Sequence, residues 1–277
     1  MKKKNLDYTV VATHAHASFK TQPFYSKHTE IYYKHWHDEH PEVVYLGNSL
    51  GFRGNDFCDA DTVVLGCSVT SGIGLPFEKT WPHLLAGKLG IVNNISLPGG
   101  SVAQIADVGM DIMSMFKPPK RILLLTPNLE RMHVAFSKES GMWKTYNWDT
   151  NINEFIAMQG EKIEPLKIDS YDGKYRSLPL EFAVSESFRA LIRLGLFAKL
   201  IGSTFHYFSW LDDVNAVYRG CGIDGFVDGK DCQPQGACHE HLRGGEFWDC
   251  AIDRSPHPGA HHHVHYAERF ETILGIQ

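Results

Sequence analysis

Three short apolar runs, each leading into a turn, set the pattern of the middle of the chain. Val63, Val64 and Leu65, bounded by Gly66, predict a buried strand that ends in a tight turn. In Thr80–Leu89 the residues Trp81, Leu84, Leu85 and Leu89 fall at helical spacing, with Thr80 as N-cap and Gly90 as stop. Ile91–Ile95 predicts a second strand. After the loop Ser96–Gly100, Ser101 is placed to cap a helix running through Ile105, Val108, Ile112 and Met115 to the break at Pro118–Pro119. Arg121–Thr126 (RILLLT) is almost continuously apolar, as strands covered on both faces are. Strand, helix, strand, helix, strand in this order implies right-handed crossovers and a central parallel sheet with helices on both sides.

Past Arg131 the alternation stops. Residues 132–180 carry Trp143, Tyr146, Trp148, Tyr171 and Tyr175 among polar residues, and are expected to form a long insertion or lid. Helical spacing returns over Glu181–Ile201 through Phe182, Phe188, Leu191, Ile192, Leu196 and Leu200, with Ser185 and Ser187 near its start. His206–Trp210 predicts a further strand, and residues 220–250 an irregular loop rich in glycine and cysteine. His261–Leu274 predicts a final helix docked through Val264, Ala267, Phe270, Ile273 and Leu274. At the other end, residues 1–47 read as an arm packed on the domain, followed by turns over Asn48–Phe57 anchored by Phe52 and Arg53. Residues 1–277 are therefore expected to form one domain.

Composition narrows the classes. A chain of 277 residues, 43% hydrophobic and 21% charged, with a formal charge of -5, gives no electrostatic reason to expect a nucleic-acid partner. Lys2–Lys4 are followed by Asn5, Leu6 and Asp7, not by the apolar core of a signal peptide, and no run reaches the roughly 18 apolar residues of a membrane span. A cytoplasmic or virion-associated location is expected. Sixteen histidines include His261, His262, His263 and His265, which precede an amphipathic stretch and read as native. Six cysteines do not make a disulfide scaffold. Cys221, Cys232, Cys238 and Cys250 cluster late, where a disulfide is one alternative and zinc on Cys232, Cys238, His239 and His241 another, although no Cys-x-x-Cys pair is present. Asp224, Asp228 and Asp231 lack the spacing of a calcium-binding EF-hand loop, and a solvated turn is favoured there. No metal or cofactor is expected.

Ligands of parallel α/β sheets bind beyond the carboxyl ends of the strands. Ser68 follows the first predicted strand, Gly99 lies after the second, and Asn128 follows the third. Acyl transfer needs a nucleophile, a base and donors aimed at the developing oxyanion, and backbone N–H groups in tight turns plus an Asn amide suit the last of these. Asp253-Arg254-Ser255-Pro256-His257-Pro258-Gly259, just before the last helix, adds a carboxylate and an imidazole. Singly, each has an ordinary structural explanation: turn glycine, strand-end cap, loop histidine. Together, in this order and each at a predicted strand end or loop, they supply what acyl transfer needs.

On these residues the chain resembles the SGNH hydrolases, the GDSL-like lipase and acylhydrolase superfamily, including bacterial and phage-encoded members. Gly66-Cys67-Ser68 is similar to the first block, with Cys67 in place of Asp; Asn94, Ser96, Gly99 and Ser101 resemble the second. Asn128 in TPNLER resembles the third, with Pro127 and Leu129 departing from its pattern. Asp253 and His257 resemble the last, with three residues between them instead of two. The resemblance covers about residues 48–131 and 253–277. It implies a flavodoxin-like three-layer α/β/α sandwich and a serine esterase acting on a small-molecule or glycan ester, for example by deacetylating a carbohydrate. Ser68 would be the nucleophile, His257 the base and Asp253 its orienting carboxylate. Ser68, Gly99 and Asn128 would hold the oxyanion, and no cofactor would be needed. Asp249 is the alternative acid, and a backbone carbonyl orienting His257 a third possibility. The thiolate of Cys67 is the alternative nucleophile. A non-catalytic carbohydrate-binding or virion structural module on the same fold is the alternative function.

Overall fold

Strands β1 (Thr62–Gly66), β2 (Val92–Ser96) and β3 (Arg121–Thr126) pair in parallel, in the order β2-β1-β3. The computed structural model describes residues 47–98, 100–129, 131–136, 142–146, 180–228 and 257–276. The expected arm, most of the insertion and the greater part of the Cys-rich loop lie outside them. Every residue of β1 is buried, as its unbroken apolar run requires of a strand with helices on both faces.

Helix α1 (Ser68–Ser71) follows β1 after one residue, and α2 (Trp81–Leu89) then leads to β2. Thr80 is the N-cap residue of α2 by position only, because its hydroxyl donates to the Phe77 carbonyl (2.7 Å). Helix α3 (Val102–Met113) joins β2 to β3 and is capped as its sequence predicts, the Ser101 hydroxyl accepting from the Gln104 N–H (3.2 Å). The segment past Arg131 contains an antiparallel hairpin of β4 (Met132–Phe136) and β5 (Met142–Tyr146), which the residue pattern did not reveal. Helix α4 (Leu180–Ile201) returns the chain to β6 (Thr204–Ser209), which pairs in parallel with β3 and starts two residues earlier than expected.

The sheet thus has the order β2-β1-β3-β6. Helices α3 and α4 pack together on one face, and α2 pairs with the last helix, α6 (Ala260–Leu274), on the other. The result is a three-layer α/β/α sandwich. Tyr207 and Phe208, adjacent on β6, point to opposite layers: Tyr207 meets Tyr218, while Phe208 meets Phe270. A single parallel bridge from Tyr207 to Phe226 extends the sheet beyond β6.

Three expectations about faces and limits are corrected. The loop expected over 220–250 starts later, because helix α5 (Asp212–Cys221) runs through Cys221 and stops at Gly222 in the left-handed conformation. On α4 the buried positions are Ala183, Ser187, Ala190, Leu191, Leu194 and Ala198, whereas Ile192, Leu196 and Leu200 are exposed, Leu200 at 84%. Small side chains on that face let α4 approach α3 closely. On α6, Val264 faces outward and His262, His263 and Arg269 are buried beside Ala267 and Phe270. Among the described residues no helix is long and apolar enough to cross a membrane.

Candidate active site

The register aligns the strand ends. Gly66 sits opposite Ser96 on one side and Leu125 on the other, and Thr126 sits opposite Ser209. Whatever follows Gly66, Ser96 and Thr126 therefore emerges along one edge of the sheet. Connectivity also reverses here: the chain leaves β1 for β2 on one side, then crosses back to β3 on the other. In doubly wound sheets that reversal opens the crevice where ligands bind.

The turn at Ser68 is set by Gly66. A Cβ on Gly66 would lie 1.9 Å from the Thr70 hydroxyl and 2.9 Å from the Leu125 carbonyl, so any side chain would push α1 off the strand end. Ser68 is the first residue of α1 and 8% exposed. Its N–H, with those of Val69 and Thr70, precedes the first helical acceptor, since the first bond of α1 is from Ser71 N–H to Cys67 C=O (3.0 Å). The Ser68 hydroxyl lies 4.0 Å from the Cys67 sulfur. Cys67 itself is fully buried in the hydrophobic core.

Arg53 locks this turn from beneath. It is 1% exposed, and its guanidinium donates to the carbonyls of Ser71 (2.8 Å), Gly72 (2.6 Å) and Leu75 (2.6 Å). One planar fork thus gathers three carbonyls around the end of α1. Gly72 has φ +68°, and a Cβ there would strike the Thr80 methyl at 2.2 Å, so α1 also abuts the start of α2.

After β2, the Leu97 N–H donates to the Gly66 carbonyl (2.8 Å) and the Gly100 N–H to the Leu97 carbonyl (2.8 Å). The first bond continues the pairing of β2 with β1 one residue past Ser96, and the second ties Gly100 back to Leu97. Gly99, the expected second oxyanion donor, lies outside the described residues, between Pro98 and Gly100.

Asn128 is half-buried just past β3. Its side-chain Oδ1 is shielded from solvent with no hydrogen-bond partner among the described residues, which leaves Nδ2 as the outward end of the amide. Buried hydroxyls anchor the segment around it. Ser187 on α4 donates to the Leu129 carbonyl (2.9 Å), Tyr218 on α5 donates to the Thr126 hydroxyl (2.9 Å), and Ser209 donates to the Thr126 carbonyl (3.2 Å). Asn215 holds Ser209 in turn, accepting from its N–H and donating to its C=O (2.7 Å each). Burial pushes the Tyr218 phenol far up, so it stays a neutral donor. Residue types alone gave no sign of Tyr218 and Asn215. Their only signal was the acidic start Asp212–Asp213 and the glycine stop of an otherwise polar helix.

His257 is half-buried, two residues before Gly259, the N-cap of α6. Asp253 and Asp249 lie outside the described residues, as do Cys232, Cys238, His239, His241 and Cys250. Cys58, Cys67 and Cys221 are free thiols, and among the described residues no three His, Cys, Asp or Glu side chains converge as metal ligands would.

No family model matches the chain, and no curated protein sequence does. A solved structure does overlap it. This is the psychrotrophic esterase EstA from Pseudoalteromonas sp., in a form inhibited by monoethylphosphonate; at 10% identity and a TM-score of 0.44, the overlap covers 78% of this chain and 97% of that one. At that distance no functional argument rests on the likeness.

One more side chain of this region is set deep. His263, in the first turns of α6, is fully buried, and its Nδ1 accepts the Trp81 N–H (3.0 Å), capping α2 where Thr80 does not. Burial, reinforced by the neighbouring His262, Arg53 and His257, pushes the His263 imidazole down to about 3.

Proposed function

We propose that the chain is a serine ester hydrolase in which Ser68 attacks the ester carbonyl. His257 takes the hydroxyl proton as the Ser68–acyl bond forms and returns it to the departing alkoxide. Asp253 orients the imidazole and stabilises its charged form. The N–H groups of Ser68 and Gly99 and the Nδ2 of Asn128 stabilise the oxyanion. Water, deprotonated by His257, then releases the acid and restores Ser68. The chemistry needs no metal or organic cofactor. Substrates are carboxylic esters, including acetyl groups on a carbohydrate.

A single observation carries this proposal: Ser68 and Asn128 follow the carboxyl ends of neighbouring strands, at the point where the direction of chain winding reverses. A hydroxyl on a turn too tight for any residue but glycine at position 66, and an amide just past the neighbouring strand end, are the groups that acyl transfer demands, and they support this reading. The deciding experiment pairs a fluorophosphonate probe with turnover of a short-chain p-nitrophenyl ester. Wild type should be labelled at Ser68 and Ser68→Ala should lose both label and turnover. Label that persists in Ser68→Ala, or maps to Ser71 or Ser101, overturns the assignment of the nucleophile. A wild-type protein that neither turns over nor labels would instead fit a binding module. Acetylated sugars screened against longer acyl esters then define the substrate.

A further inference from the structure

We infer that His263 is a positioning residue, which sets the base His257 against the Ser68 turn by clipping the start of α6 to the start of α2. The inference rests on the serine hydrolase proposed above and deepens it. Ser68 opens α1, and α1 closes at Gly72, whose carbonyl and that of Ser71 are both held by Arg53. Gly72 in turn lies against Thr80, the residue before Trp81. Trp81 is the first residue of α2 and would carry an unsatisfied N–H, but His263 Nδ1 accepts it across 182 positions of sequence. The backbone N–H of the same His263 donates to the Gly259 carbonyl (3.3 Å), making the first helical bond of α6. His257 precedes Gly259 by two residues. One residue therefore joins the nucleophile's turn to the segment that carries the base.

The chemistry of His263 suits that task. With Nδ1 committed as an acceptor, its proton is on Nε2, and the ring stays neutral across the physiological range because it is fully buried. A neutral, fixed tautomer cannot substitute for His257 as the base, but it holds a distance without adding a competing charge. The two helices also meet through Trp81 stacked on Phe270 (ring centroids 5.0 Å apart) and, at their far ends, through Lys88 and Glu271 (2.6 Å). Those contacts dock α6 along its length. The His263 bond alone among them lies at the end of α6 from which His257 extends.

The test compares His263→Leu, His263→Asn and Lys88→Ala with wild type, measuring ester kcat and KM, fluorophosphonate labelling of Ser68 and the unfolding midpoint. Asn puts an acceptor where Nδ1 was; Leu does not. His263→Leu should lower kcat about 10- to 100-fold, the scale of a misplacement near 1 Å, with KM within about threefold and labelling slowed in parallel. His263→Asn should recover most of kcat. Lys88→Ala, which removes the helix contact at the far end, should shift the midpoint with kcat unchanged. If His263→Leu is too unstable to assay, the pair His263→Asn and His263→Gln replaces it, because Gln carries its acceptor at the wrong place and should show the kcat loss. Equal kcat in wild type and His263→Leu, no recovery with Asn, or an equal kcat loss in Lys88→Ala overturns the inference while leaving Ser68 in place. Turnover that survives Ser68→Ala overturns the hydrolase proposal and this inference with it.

Discussion

Replacing Arg53 by Met is the sharpest test of how the serine turn is held. Met keeps an unbranched apolar stem and deletes the guanidinium. The carbonyls of Ser71, Gly72 and Leu75 then lose their charge-assisted donor together. A buried acceptor left unsatisfied costs about 1–3 kcal/mol, so three give roughly 3–9 kcal/mol. Removing the buried charge offsets part of this, since the guanidinium no longer has to be desolvated. The net should fall near the 3–5 kcal/mol typical of deleting one partner from a buried charged contact. At about 2–4 °C per kcal/mol for a large domain, the melting temperature should drop by roughly 6–20 °C. Arg53→Lys, whose ammonium can serve one or two carbonyls but not the planar set of three, should lie between. Urea unfolding followed by tryptophan fluorescence, with calorimetry, gives the stabilities. Fluorophosphonate labelling well below the transition reports whether the turn stays formed, and it should slow in the same rank order. An Arg53→Met protein within about 1 kcal/mol of wild type, or an Arg53→Lys protein as stable as wild type, would refute the three-carbonyl account.

Other predictions concern the chemistry and its pH dependence. Asn128→Ala should lower kcat about 10²- to 10³-fold with little change in KM, because the amide is proposed to act on the transition state; an unchanged kcat removes Asn128 from the oxyanion hole. Asp253→Asn should reduce kcat by up to about 10⁴-fold while Asp249→Asn changes little, and the reverse ranking assigns the carboxylate to Asp249. His263, held down to about 3 in the folded protein, takes up its proton in the unfolded chain near 6.5. The unfolded state is therefore favoured as pH falls between those values, and stability should be intact above about pH 6.5 and lost at about 1.4 kcal/mol per unit below it. Urea midpoints from pH 7 to pH 4 should show that slope in wild type and a shallower one in His263→Asn.

The half of the sheet from Thr62 to Thr126 was legible because β1 and β3, each with a strand on both sides, are apolar almost throughout, while β2, with Asn93, Asn94 and Ser96 buried, could be placed by the helical patterns before and after it. Legibility failed where packing is done by something other than bulk. The buried face of α4 is Ala, Ser and Leu, chosen for close approach to α3, so the larger Ile192, Leu196 and Leu200 misled as to which side turns inward. The buried face of α6 includes His262, His263 and Arg269, which hydropathy assigns to water and which only a partner 182 positions away makes tolerable in the case of His263. Helix α5 buries only Val214, Asn215 and Tyr218, too thin a stripe to stand out among polar neighbours. For the candidate site, Ser68 and Asn128 could be read from their places after apolar runs, because a strand's end is a local property. The network under Asn128, joining β3 to Ser187, Ser209 and Tyr218, is a property of the assembled layers and left no mark on any one stretch.

The pairing of α2 with α6 also constrains the order in which this chain can be finished. A ribosome releases β1, α2, β2, α3 and β3 long before α6, and these can pair by right-handed crossovers as they emerge. The layer over α2 cannot close until residues 260–274 exist, so Trp81, fully buried in the finished molecule, has no ring of Phe270 to stack on through most of synthesis. Contacts this distant form late and carry the loop-closure cost of the intervening chain. The nascent protein therefore presents an apolar sheet face to the cell for as long as its last helix is unmade, and that interval is when a holding chaperone has something to hold.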